Sequence, residues 1–143
     1  MIYRHILVAF DGSETSEKAL NQAIKFIQSK PGSKLTVAHV LNRPMSAFEG
    51  FGWVIPEGYH EKMKEYEEAL VKKAEEVIHE LPYTKIAMLT GNPAQAILEY
   101  AKEYNCDLIV MGSRGLGPFK EWMLGSVSHH VVQQSQVPVL IVK

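Results

Sequence analysis

Residues 106–132 read CDLIVMGSRGLGPFKEWMLGSVSHHVV, and the fold is decided by how this stretch changes character. An apolar run from Leu108 to Met111 stops abruptly at Gly112. Gly115 and Gly117 follow, and after a longer insertion Gly125 and Ser126 stand in front of a new apolar period. A short continuous apolar run bounded by glycines reads as a strand covered on both faces. A buried strand that opens into glycines and then into a helix start is a ready anion site. The first N–H groups of a helix have no internal partners, and glycine lets a ligand approach the main chain closely. The stretch predicts a seat for phosphates.

The same grammar extends outward in both directions. Tyr3–Phe10 contains the near-continuous run Ile6 to Phe10, a second buried-type strand, punctuated by Asp11, Gly12 and Ser13. Leu20, Ala23, Ile24 and Ile27 recur at helical spacing up to Pro31 and Gly32. Leu35–Leu41 reads as another strand. The irregular segment from Asn42 to Gly58 carries Pro44, Gly50, Gly52, Pro56 and the aromatics Phe48, Phe51 and Trp53; loops this long are usually functional or mobile. A helix is expected from about Tyr59 to Glu80, with Met63, Tyr66, Leu70, Ala74, Val77 and Ile78 as its inner stripe. Its charged outer face offers pairs four residues apart, such as Glu68 with Lys72.

Thr84–Leu89 reads as a strand, and Asn92 with Pro93 as the cap and first position of the next helix, whose inner face is Ala94, Ile97, Leu98 and Ala101. A fourth helix runs over Ser126–Gln134, and Val139–Val142 after Pro138 forms the last strand. Strands alternating with helices predict a parallel sheet with helices on both faces. In such sheets ligands bind beyond the carboxyl ends of the strands, where the winding reverses. The two chemically unusual strand ends are Asp11-Gly12-Ser13 and the glycine stretch after Met111.

Composition bounds the rest. A chain of 143 residues fits a single domain over 1–143, long enough to bury roughly 70% of its unfolded surface. A net charge of -1 gives no electrostatic reason to expect nucleic acid or an acidic membrane as partner. No apolar run reaches a membrane span, and MIYRHILVAFDG lacks the plan of a secretory signal, so a cytoplasmic protein is expected. Cys106 is the only cysteine, which excludes an intrachain disulfide and a CxxC pair; it reads as a packing residue. His129 and His130 are adjacent and point about 100° apart on a helix, which disfavours joint chelation.

The spacing Gly112-x2-Gly115-x9-Gly125-Ser126 resembles the ATP-binding motif of the universal stress protein family. ILVAFDGSE near the start, AHV, GNPAQAI and the closing VPVLIV agree in order, so the resemblance covers essentially the whole chain outside the Asn42 to Gly58 loop. It implies an α/β, three-layer doubly wound sandwich with a five-stranded parallel sheet of order 3-2-1-4-5. It also implies ATP, with magnesium, held between the first and fourth strands by Ala9, Asp11, Val40, Gly112, Arg114, Gly115, Gly125, Ser126 and Val127. Asp11 would accept from ribose hydroxyls or hold the nucleotide's metal ion. Other readings stay open: Asp11 and Ser13 also suit a helix cap with Glu14 and Glu17 at its positive end, the glycines suit turns, and Arg114 suits an exposed surface.

No GxxxxGK[ST] loop, no GxGxxG after the first strand and no GxSxG elbow is present. Asp11, Arg114 and Lys120 are a thin set for phosphoryl transfer. The expectation is a regulatory adenine-nucleotide-binding protein with slow or no hydrolysis; the alternatives are an ATP-hydrolysing enzyme using Asp11 and metal, and a structural dimer without ligand. The apolar edge strand Val137–Val142 invites pairing with a second copy, and the family resemblance implies a homodimer through it.

Overall fold

The apolar runs can leave water only against one another, and they do so as a single sheet. The computed structural model describes residues 3–41, 57–114 and 124–143. Its strands are β1 (His5–Ala9), β2 (Lys34–Leu41), β3 (Thr84–Thr90), β4 (Leu108–Gly112) and β5 (Val139–Val142). The helices among the described residues are α1 (Glu14–Ser29), α2 (Tyr59–Ile78), α3 (Pro93–Glu103) and α4 (Ser126–Gln134). All pairings are parallel, in the order β3-β2-β1-β4-β5. The α/β doubly wound architecture expected from the sequence is the one observed.

Alternation of side chains along each strand divides the interior into two layers. Ile6, Val8, Leu35, Val37, Leu108 and Val110 face α1 and α2. Leu7, Ala38, Ile109 and Met111 face α3 and Val131 of α4. β1 lies between β2 and β4, so Leu7 and Val8 are sealed on every side and wholly inaccessible. At roughly 1.5–3 kcal/mol for each buried aliphatic side chain, this central strand anchors the domain.

Both predicted helix starts form. Ser13 caps α1, its Oγ accepting from the Ser16 N–H at 3.3 Å. Asn92 caps α3, its Oδ1 accepting from the Gln95 N–H at 3.0 Å with Pro93 in the first turn.

α2 departs from expectation. Leu70, Ala74 and Ile78 are buried, whereas Val77 turns outward and Tyr66, on the buried stripe, stays partly exposed with its hydroxyl reaching the Asp11 carbonyl. The buried residues recur every fourth position and form one narrow stripe; Val77 lies a quarter turn off it. The helix also ends at Ile78 rather than Glu80, where the Leu81 N–H turns back to the Ile78 carbonyl at 2.9 Å. The Glu68–Lys72 pair does not form; Lys73 reaches instead to Glu17 on α1.

The end of the sheet where the strands begin is tied by a polar cluster. The Asp107 carboxylate accepts from the N–H groups of Arg4 and His5, at 2.8 and 3.0 Å. His5 Nδ1 lies 3.2 Å from the Tyr104 carbonyl and Nε2 2.8 Å from Thr36 Oγ1. A carbonyl only accepts, so Nδ1 carries the proton and Nε2 accepts from the threonine hydroxyl. Cys106 is buried beside this ring, and its thiol is pushed up to about 11, first by burial and then by the Asp107 charge.

Burial also lowers the His5 pKa, with the charges of Lys34 and Lys85 adding to it against the raising effects of the Tyr104 carbonyl and Asp107. The unfolded chain then binds the proton more readily than the folded one. The contribution of His5 is therefore present above its ordinary value of 6.5 and declines as pH falls below it. Urea unfolding on either side of that pH should show this decline in the wild type. His5→Gln should show a shallower one, and an equal slope in both would remove His5 as its source.

Candidate functional site

At the opposite end, where the strands finish, two loops face one another across β1 and β4. After β1 the chain turns at Gly12, whose φ of 83° favours glycine. Asp11 Oδ1 accepts from the Ser13 N–H at 2.9 Å, which closes a local turn just before the α1 cap. Turn and cap engage the N–H groups of Ser13 and Ser16 at the start of α1, and Glu14 and Glu17 in its first turn add negative charge there. On the other side, the Tyr66 hydroxyl donates to the Asp11 carbonyl at 3.4 Å, and Leu70 fills the space a β-carbon on Gly12 would need.

After β4 the main chain is held by four donor groups that tie it to three elements. The Ser113 N–H donates to the Val142 carbonyl of β5 at 2.8 Å. The Gly125 N–H donates to the Ser113 carbonyl at 2.8 Å, which brings the end of β4 against the start of α4. The buried Ser128 hydroxyl of α4 lies 3.2 Å from both the Gly112 and Ser113 carbonyls. The Thr15 hydroxyl of α1 donates to the Arg114 carbonyl at 2.6 Å. Gly112 makes that last contact possible: a β-carbon there would lie 2.4 Å from Thr15 Oγ1 and 2.8 Å from the Thr15 carbonyl carbon.

α4 begins differently from α1. Its cap residue, Gly125, offers no side-chain acceptor. The first helical bond runs from the His129 N–H to the Gly125 carbonyl, so the N–H groups of Ser126, Val127 and Ser128 have no partner within the helix. A bare helix start carries partial positive charge and attracts anions.

Between these loops lies a crevice of about 280 Å³. Ala9, Ala38, Val40, Pro93, Ile97 and Met111 supply apolar lining; Asp11 follows β1, and Arg114, Gly125, Ser126 and Ser128 supply polar lining where β4 meets α4. Of the residues singled out from sequence, Ala9, Asp11, Val40, Gly112, Arg114, Gly125, Ser126 and Val127 all line it. Gly115 lies outside the described residues, as do Lys120 and the aromatics Phe48, Phe51 and Trp53. Arg114 is the only lysine or arginine among the described lining residues.

Sequence reading did not select Phe10, Ser16, Ala38, His39, Pro93, Ile97, Met111 or Ser128, which also line the crevice. Pro93 and Ile97 were legible as the start and inner face of a helix, and no local signal tells that this helix overhangs β2. His39 Nδ1 lies 3.0 Å from the Phe10 carbonyl, to which it must donate. His129 and His130 are both exposed on α4, and among the described residues no group of three or more histidine, cysteine or acidic side chains is placed to hold a metal ion.

Comparison with known proteins follows the same lines. The model of the universal stress protein family matches residues 2–143. Universal stress protein YxiE of Bacillus subtilis (strain 168) is 38% identical over 149 residues, which cover 99% of this chain and 100% of that protein. The solved structure of hypothetical protein MJ0577 superposes with a TM-score of 0.81 at 28% identity, covering 100% of this chain and 97% of that one. A universal stress protein crystallised in complex with cAMP gives a TM-score of 0.69 at 26% identity, over 99% and 98% of the two chains.

The close approach at Gly112 carries a stability prediction. Gly112→Ala should destabilise the ligand-free protein by about 1–3 kcal/mol, the usual cost of forcing an extra carbon into a filled interior. Thermal melts in the absence of any ligand read this directly, and an unchanged midpoint would mean that α1 shifts away at little cost.

Proposed function

The chain belongs to the universal stress protein family, and from that premise we propose that it is a cytoplasmic regulatory protein, one domain over 1–143, that binds ATP in the crevice between β1 and β4. The observation that carries this reading is the uncapped start of α4 beside Arg114, in a crevice with apolar lining. Adenine suits the apolar lining, which includes Ala9 and Val40, and Asp11 is within the same crevice for the ribose hydroxyls. Phosphates suit the N–H groups of Ser126 and Val127, the Ser126 hydroxyl and the Arg114 guanidinium. Gly112, Gly125 and Gly115 complete the set. The similar protein crystallised with cAMP supports an adenine nucleotide as the class of ligand.

Magnesium fits only in company. Asp11 is the one carboxylate among the described residues that line the crevice, and one of its oxygens is engaged by the Ser13 N–H. Magnesium usually keeps several waters and binds through one or two carboxylates plus substrate phosphates, so here the nucleotide would bring it. One cation and one carboxylate also fall short of the clamps and positioned base of fast phosphoryl transfer, which supports slow or no hydrolysis.

Nucleotide binding is read by thermal melts of nucleotide-free protein. ATP with magnesium at about 100 times its dissociation constant should stabilise by about 2.7 kcal/mol, raising the midpoint by roughly 5–10 °C for a domain of this size. Arg114→Glu, at a half-buried position, should abolish most of that shift. No shift in the wild type at millimolar ATP would retire the reading.

A homodimer through Val137–Val142 is the second part of the proposal. β5 pairs only with β4 among the described strands, and its four residues are each partly exposed. A free apolar edge invites a strand from another copy. Sedimentation or light scattering should give twice the chain mass at micromolar concentration, and a monomer mass would overturn the assignment.

A further inference from the structure

Three successive carbonyls leave β4 beside the polar lining where it meets α4: Gly112, Ser113 and Arg114. A carbonyl oxygen carries partial negative charge and would repel an anion placed near it. Each of the three is taken by a donor instead. Ser128 and the Gly125 N–H engage the first two, and Thr15 engages the third with the shortest hydroxyl bond at this site, 2.6 Å. Thr15 is buried, belongs to α1 and does not line the crevice. Its reach to Arg114 exists because residue 112 has no side chain to stand in the way.

We propose that Thr15 is a positioning residue for the anion end of the crevice. By holding the Arg114 carbonyl from behind, it turns this peptide so that its acceptor points into the protein and its side chain is presented to the ligand. The proposal rests on the reading that phosphates bind beside Arg114. It adds that Thr15 of α1 takes part in binding from outside the crevice lining, and that Gly112 serves the ligand through Thr15 as well as by direct approach.

The test is a mutant cycle on the full chain, with ATP affinity measured by calorimetry and ligand-free stability by thermal melting. Thr15→Val keeps the shape and loses the hydroxyl; Thr15→Ala loses it without adding bulk, should the valine variant fail to fold. Either should weaken ATP binding roughly threefold to tenfold, the value of one hydrogen bond. Thr15→Ser should restore wild-type affinity. Arg114→Ala should weaken binding by itself, and adding Thr15→Val to it should cost nothing more. Wild-type affinity in both hydroxyl-free variants, or losses that multiply in the double variant, would overturn the positioning role while leaving nucleotide binding intact. Failure of the wild type to bind ATP would overturn the underlying reading and this role with it.

Discussion

The contact on which the site depends is the one between α1 and the end of β4, where the Thr15 side chain fills the volume that a β-carbon on residue 112 would need. Interiors are packed too densely for such a carbon to be absorbed without displacement. With the contact in place, the segment from Gly112 to Arg114 is tied to α1, α4 and β5 at once. Together these contacts fix the main chain as far as Arg114, the only described lysine or arginine that lines the crevice. The geometry of the polar lining there is therefore a property of packing between layers rather than of the loop itself.

Helix polarity then decides where negative charge is welcome. Two helix starts flank the crevice loops, and their treatment is opposite. α1 engages one of its first N–H groups with the Ser13 side chain and fronts them with acidic residues; α4 begins behind a glycine with no side-chain cap. The glycine count would not distinguish these ends, since both loops contain glycine. Capping does, because a helix start already bonded and already facing carboxylates has little positive potential left to offer.

Much of this was legible in one dimension because the relevant signals are local. Continuous apolar runs, Ser13 and Asn92 as caps, Pro93 in a first turn and the punctuation at Gly112 all act within a few residues of where they stand. The strand order was not legible in that way, since the runs of β2 and β4 look alike and nothing in them says which neighbours β1 on which side; the family motif supplied it. The interior stripe of α2 was misjudged at Val77 because it suits an apolar face, and only tertiary contact tells which apolar residue turns inward. Glu68 and Lys72 had the right spacing, yet Lys73 found Glu17 on another helix. The role of Gly112 had to wait for coordinates altogether. Residues 15 and 114 are distant in the chain, and no periodicity links a threonine in one helix to the carbonyl of a far-off loop.

The environment of Cys106 has a chemical consequence for a member of a stress protein family. Peroxides and electrophiles attack thiolates, and a buried thiol displaced to about 11 presents almost none at neutral pH. The sole sulfhydryl of the chain is thereby muted, and it behaves as a hydrocarbon-like spacer under the sheet. Burial and a suppressed thiolate make this position slower to oxidise than an exposed cysteine. Redox information is thereby kept from entering through the cysteine, the position in the chain best suited by chemistry to carry it.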